Sequence, residues 1–342
     1  MVTSFHAKQP IVQIPMRQIV LHQPGDFQEH QIDAPKPAAG EALVRVHRIG
    51  VCGTDLHAFA GRQPFFTYPR ILGHELGVEV VEAPANDRGI RPGDRCAVEP
   101  YVHCGNCRAC RLSRPNCCES LKVFGVHIDG GMQPYFRVPV TLLHKSEKLS
   151  LDQLALVETL GIGFHAVERS GLQAGEDALV IGAGPIGLAV TQFATARGAN
   201  VRVLELSDAR RAFVGKLGVE TLATAPAEPC GVVFDATGNA KAMEAAFESV
   251  APAGRLIFVG LVLGRISFED PLFHRREMTV LASRNSCFAF PPIIEMIENG
   301  RIDTSPWITD RLALGDVPKD FASLRQRPDL VKAIIEVSES DL

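Results

Sequence analysis

The stretch DALVIGAGPIGLAVTQFATARGANVRVLEL, residues 177–206, decides the fold. An apolar run reads as a strand, three glycines follow, a helical pattern comes next, and a second apolar run ends in an acid. Strand, glycine turn, helix and strand make one βαβ unit with a dinucleotide-type loop. Gly182 permits the tight turn, Gly184 lets the backbone approach a pyrophosphate, and Gly187 allows the helix to pack closely on the strand. Pro185 and Ile186 open that helix, whose N-terminus favours negative phosphates. Gly182, Gly184, Pro185, Ile186 and Gly187 are therefore the expected cofactor-binding loop. Glu205 closes the next strand, where a carboxylate suits ribose hydroxyls and repels a 2′-phosphate, which favours NAD over NADP. Arg210 and Arg211 lie just beyond. They read either as a solvated helix face, with Arg210 near the ribose, or as partners for a 2′-phosphate.

The same alternation continues outward. SDARRAFVGKLG and KAMEAAFESVAPAG read as helices, and GVVFDATG and RLIFVGL as strands, which extends the unit into a doubly wound parallel sheet. Near residue 290 the alternation stops, and PPIIEMIENG (a helix) leads to VKAIIEV (a strand). Upstream, SLDQLALVETLGIGFHAVERSG has helical spacing and ends at a glycine. Before it the chain is β-rich, with runs such as RQIVL, ALVRVHRIGV and ELGVEVVEA between turn signals. The expected fold class is α/β, with both chain ends belonging to the β-rich unit.

Composition bounds the rest. A chain of 342 residues exceeds one comfortable core, so about two domains are expected. A net charge of −4 with no basic stripe argues against nucleic acid as a partner. No apolar run approaches the ~18 residues of a membrane helix. No secretory signal is evident at the N-terminus. Nine cysteines in such a chain read as thiols and metal ligands, and the expected location is the cytoplasm.

HCGNCRACRLSRPNCCES, residues 103–120, spaces Cys104, Cys107 and Cys110 as metal ligands and then offers two adjacent candidates, Cys117 and Cys118. Four thiolates close a tetrahedral zinc shell and leave no place for substrate, so this is a structural site. An iron–sulfur cluster or a disulfide is the weaker alternative. Spacing alone does not choose between Cys117 and Cys118. A second set is scattered. GVCGTDLH supplies Cys52, Thr54, Asp55 and His57, and GHE supplies His74 and Glu75. Thiolate, imidazole and carboxylate together suit a catalytic zinc with an open position.

GVCGTDLHAFAG, GHE, the four-cysteine lobe with RPNCC, VETL and VIGAGPIGL follow one another as in the zinc-dependent medium-chain alcohol dehydrogenases. The chain resembles their polyol and sugar-acid branch, which includes sorbitol dehydrogenase and the L-galactonate and L-gulonate 5-dehydrogenases; FGVHIDGGM is similar to the latter. The resemblance implies a GroES-like β-rich catalytic domain over 16–155 and 291–342, with the structural-zinc lobe at about 100–120. It implies a Rossmann NAD-binding domain over 156–290, and it makes residues 1–15 either an extension ahead of the catalytic domain or the mark of a start placed too early. It selects Cys118 as the fourth structural ligand, with Asn116 as marker. It makes Cys52 and His74 ligands of the catalytic zinc and Glu75 a direct or exchangeable ligand. Glu158 becomes a ligand of the zinc or of its water, and Asp55 the group that orients His74.

Expected cofactors are thus NAD and two zinc ions per chain. Zinc would stabilise the substrate alkoxide, while Thr54 takes the proton and passes it through the ribose to His57. Arg284 matches an arginine that contacts substrate or zinc water in sorbitol dehydrogenase-like enzymes. A guanidinium also pairs with a carboxylate. Arg70 and His127 are further candidates, and Phe65, Phe66 and Phe288 read as core or lid. The expected reaction is hydride transfer from a secondary alcohol of a polyol or hexonate to NAD. Threonine 3-dehydrogenase, a simple secondary-alcohol dehydrogenase and a non-catalytic zinc- and NAD-binding protein are the alternatives. The expected partners are a small-molecule alcohol and further copies of the chain, as a homodimer or homotetramer.

Overall fold

The computed structural model describes residues 15–64, 66–327 and 329–342. The hairpin of β1 (Pro15–Gln23) and β2 (Asp26–Asp33) precedes β3 (Glu41–Gly50), a short helix α1 (Gly53–Phe59), β4 (Glu75–Glu82) and β5 (Arg95–Val98). A cysteine-bearing excursion carries β6 (Tyr101–Val102), α2 (Arg108–Arg111) and β7 (Lys122–Val123), and returns through β8 (Tyr135–Pro139) and β9 (Leu143–Lys145). The long helix α3 (Leu151–Ser170) enters an alternating stretch: β10 (Asp177–Ile181), α4 (Pro185–Ala196), β11 (Asn200–Leu204), α5 (Asp208–Lys216), β12 (Glu220–Leu222) and β13 (Cys230–Asp235). It continues with α6 (Ala240–Ala245), β14 (Val250–Phe258), α7 (Asp270–Arg275) and β15 (Thr279–Ala282). The last elements are α8 (Phe290–Glu298), β16 (Ile308–Ala313), α9 (Val317–Asp320) and β17 (Lys332–Glu336).

Two sheets organise these elements. The first is parallel throughout, in the order β12-β11-β10-β13-β14-β15. The order reverses next to β10, and a ligand crevice belongs outside the strand ends at such a switch point. The second sheet runs β16-β17-β3-β4-β5-β9, with β8 also on β3. β17, from the end of the chain, pairs antiparallel with β3 from its beginning. The fold is α/β, a doubly wound parallel sheet joined to a β-rich unit.

Helix α3 links the two sheets. Ser150 and Gln153 form a reciprocal capping box at its start, and Gly171 ends it in the left-handed region at φ 67°. Its first turns pack on β4 and β5, and its later turns on α4. At that crossing Gly163 has no substitute, because a Cβ there would lie 2.5 Å from the Cβ of Ala189. One reading of the sequence is corrected. KAMEAAFESVAPAG is helical only through α6 and a following 3-10 turn, and Val250 already begins β14. Pro252 cannot supply the amide that a continuing helix needs.

Candidate active site and metal centres

Cys52 caps the N-terminus of α1, and Asp55, one turn on, accepts the Cys52 amide at 2.9 Å. His74 and Glu75 come from the start of β4. The fold brings ligand atoms of Cys52, His74 and Glu75 to within 4.8 Å of one another. Asp55 Oδ1 lies 3.6 Å from His74 Nδ1, too long for a hydrogen bond, and both atoms are buried without a partner. With Nδ1 facing Asp55, Nε2 is the ring atom free to act as ligand. Burial opposes charge on His74, yet Asp55 and Cys52 outweigh it and hold its proton affinity well above the usual value. A thiol, an imidazole and a carboxylate that together draw a positive charge into a buried place fit a divalent zinc ion.

Glu75 is engaged on its far side. Lys332 Nζ lies 2.7 Å from both its carboxylate oxygens and 3.0 Å from Thr159 Oγ1, and Lys332 is only 2% exposed. Burial pushes the ammonium toward neutrality, but Glu75 and Cys52 keep it charged. Burial likewise opposes ionisation of Glu75, and Lys332 and His74 more than offset it. Glu158, expected as a fourth ligand, does not join the cluster of donor atoms. Its Oε1 accepts from the hydroxyl of Tyr101, and burial raises its pKa.

Chain neighbours of this cluster line a cleft of 730 Å³. Val51 and Gly53, which flank Cys52, line one wall, as do Val331 and Ala333, which flank Lys332. Gly182, Gly184, Pro185, Glu205 and Arg210 line the opposite wall. Gly187 lies beneath, where a Cβ would meet Gly182 O at 1.8 Å, and Ile186 is half-buried beside it without lining the cleft. Glu205 accepts from the amides of Ala183 and Ser207 at 2.8 Å each, so it also holds the glycine loop in shape. Arg211 is turned to the Glu205 carbonyl and Asp208. A cradle that a Cβ would fill, with an acid at its rim, fits a dinucleotide. Thr54 and His57 sit one turn apart on α1. Burial, Arg62 and Arg325 lower the pKa of the exposed His57, which leaves it a neutral base at pH 7.

In the excursion, the thiols of Cys104, Cys107, Cys110 and Cys118 lie within 4.8 Å of one another, while Cys117 is exposed and outside the group. Cys104 Sγ accepts the Cys107 amide and Cys118 Sγ the Cys104 amide, both at 3.3 Å. Amides from Asn106 and Cys107 bring the Cys104 thiol down to about 6. The Cys104 and Cys118 sulfurs are 3.5 Å apart, close to the ~3.8 Å edge of a tetrahedron with ~2.3 Å zinc–sulfur bonds. The donor set fits a closed zinc site.

The matches to known proteins follow this geometry. Residues 38–148 match the family "Alcohol dehydrogenase GroES-like domain", and residues 185–299 match "Zinc-binding dehydrogenase". L-galactonate-5-dehydrogenase of Escherichia coli K12 is 36% identical over 335 residues, covering 94% of this chain and 98% of that protein. The chain belongs to the zinc-binding alcohol dehydrogenase family. Among solved structures, an E. coli CFT073 alcohol dehydrogenase complexed with NADH superposes with a TM-score of 0.88 at 27% identity, covering 94% of this chain and 99% of that one. A Sinorhizobium meliloti 1021 protein bound to NADP gives a TM-score of 0.88 at 28% identity, covering 95% and 100%.

In this dehydrogenase neither Arg284 nor Arg70, singled out for substrate, lines the cleft. The Arg284 side chain is exposed; its Nε donates to Asn116 O at 3.3 Å, and its own carbonyl accepts from Asn116 Nδ2 at 2.9 Å. Arg70 is held by Asp129 and Thr67, each at 3.0 Å. Phe66 packs edge-on against Tyr68, Phe288 is 64% exposed, and Phe65 lies outside the described residues. Three residues in contact with Glu75, Glu158 or one another escape a reading of the sequence: Lys332, Tyr101 and Thr159. A lone lysine among aliphatic residues, VKAIIEV, was their one visible signal.

Proposed function

We propose that the enzyme oxidises a secondary alcohol of a sugar acid or polyol with NAD, and that hexonates are its preferred substrates. One observation carries this reading: the thiol of a thiol–imidazole–carboxylate donor set belongs to Cys52, whose chain neighbours Val51 and Gly53 line a cleft shared with the glycine loop and Glu205. Cys52, His74 and Glu75 would hold the catalytic zinc, and Cys104, Cys107, Cys110 and Cys118 the structural one. When bound, zinc supplies Lewis-acid polarisation of the alcohol oxygen, and the nicotinamide takes the hydride. Lys332 keeps Glu75 ionised, Asp55 sets the orientation of His74, and Tyr101 holds Glu158 at the edge of the site. Thr54 accepts the substrate proton, and His57, exposed and neutral, passes it to solvent. Glu205 in the cleft disfavours a 2′-phosphate, which supports NAD over NADP. The similarity to L-galactonate-5-dehydrogenase supports a hexonate.

The β-rich unit, 16–155 with 291–342, is proposed as the catalytic domain and 156–290 as the cofactor domain, joined through α3. A homodimer or homotetramer is proposed on the edge strand β15, whose Val280 is 37% exposed. No helix of the described residues is long and apolar enough to cross a membrane. A cytoplasmic location is supported by nine unpaired cysteines. The deciding experiment is an NAD-reduction screen over hexonates, hexitols, threonine and simple alcohols. Hexonates are expected to give the highest kcat/KM. Indifference to both hexonates and polyols, or a preference for threonine, overturns the substrate class.

A further inference from the structure

We propose that Gly50 is a positioning residue of the metal centre: its missing side chain leaves the gap in β3 through which Lys332 reaches Glu75, and so fixes where the donor carboxylate stands. The inference rests on the metal centre proposed above and holds whatever alcohol the enzyme oxidises.

The register of the second sheet builds this gap. β3 lies between β17 and β4, with Ile334 opposite Gly50 on one side and Glu75 opposite it on the other. Residues opposite one another in an antiparallel pair share a face, and so do residues two apart on one strand. Lys332, Ile334, Gly50 and Glu75 thus stand on one face of three adjacent strands. The backbones of Lys332 and Glu75 are two strands apart, about 10 Å at the usual strand spacing. Their side chains meet over the middle strand. Lys332 Nζ lies 2.7 Å from both Glu75 oxygens and 3.3 Å from the carbonyl of Val51, the residue after Gly50. The carboxylate overhangs Gly50 itself: a Cβ there would lie 2.0 Å from Glu75 Oε2 and 3.0 Å from its Cδ.

Backbone conformation does not ask for glycine at this position. Gly50 ends a strand and is not among the residues with positive φ. Space alone asks for it. Glu75 is wholly buried and Lys332 is 2% exposed, so neither side chain can swing into solvent to make room. A methyl group at position 50 therefore separates the pair. On its other side the carboxylate has Cys52 and His74, whose ligand atoms lie within 4.8 Å of its own. A buried carboxylate parted from its ammonium still needs a positive partner, and the metal held by those two residues supplies one. Gly50 thereby sets how the charge of Glu75 is shared between the lysine and the metal.

The test loads wild type, Gly50→Ala, Lys332→Met and the double variant with cobalt(II), and records visible absorption, bound metal and melting temperature. The cobalt bands report the ligands of the catalytic site without any substrate. Gly50→Ala and Lys332→Met are expected to shift those bands in the same direction, since each frees Glu75. The double variant should match Lys332→Met alone, because the two changes break one interaction. In the zinc enzyme Gly50→Ala should lose about 100-fold in kcat/KM, the cost of a misplaced group near the chemistry. If Gly50→Ala does not fold, Gly50→Ala with Glu75→Asp decides. The shorter carboxylate draws back from the added methyl, so recovery of folding supports the proposal and continued failure overturns it. An unshifted cobalt spectrum in folded Gly50→Ala overturns it too, as does a shift that adds to that of Lys332→Met. A wild type that binds only one metal ion per chain overturns the functional reading as well.

Discussion

Glu75 meets two opposite demands, as a donor in the metal-type cluster and as the counter-ion of a buried lysine. Removing one partner of a buried pair leaves an unpaired charge and costs about 3–5 kcal/mol, whereas removing both together costs much less. Lys332→Met should therefore lower stability by about 3–5 kcal/mol, and Lys332→Met with Glu75→Gln should recover most of it. Chemical denaturation of the three proteins checks this. Cys52→Ser should abolish turnover, reduce bound zinc from about two ions to about one, and leave the fold nearly intact; activity at the wild-type level would remove Cys52 from the site. Cys52, His74 and Glu75 are legible in the sequence because each sits in a short polar motif whose residue types already imply a ligand. Lys332 is not, since its meaning depends on a carboxylate 257 positions earlier. Glu158 is legible as a functional residue but not in its attachment, because the tyrosine that holds it lies on the excursion between β5 and β8.

At the scale of elements, the cysteine excursion is a scaffold with a handle. Asn116 reaches from it to Arg284 and His165, so the lobe also positions the loop after β15. Cys118→Ser should lose the second zinc and melt at least ~5 °C lower, while Cys117→Ser should match the wild type in both zinc content and melting point. Helix α3 is clamped at its start, where Asp152 meets Arg48 at 2.8 Å and Arg311 at 2.6 Å. Burial would raise the Asp152 pKa, but Arg311 and Arg48 outweigh it and hold it below the usual carboxylate range. A depressed folded-state pKa contributes stability that is fully present above about pH 4 and lost as pH falls through the folded value. Asp152→Asn should thus weaken the protein at neutral pH and flatten the acid limb of its stability curve, as urea midpoints from pH 3 to 7 would show. Long periodic elements such as α3, β10 and α4 are readable from their patterns. β12 and β15 are not, because three or four residues with half-exposed faces carry no periodicity.

For the whole molecule, the parallel sheet ends at β15, which among the described residues pairs only with β14 and carries the part-exposed Val280, and an open edge is a template for another strand. Scattering or sedimentation should give at least a dimer, and Val280→Lys should shift it toward monomer; a wild type that stays monomeric at micromolar concentration would count against oligomerisation through this edge. Fold class is the most legible property, because strand–helix alternation can be read locally. The closure of the second sheet is less so, since β17 returns to β3 across the whole intervening chain. That return also sets a timetable. Glu75 is made 257 residues before the lysine that neutralises it, and at about 5–20 residues per second the growing chain waits ~13–50 s for that charge. During synthesis the carboxylate has no ammonium to face, so the catalytic pocket is among the last parts of the molecule to be born, long after the glycine loop beside it.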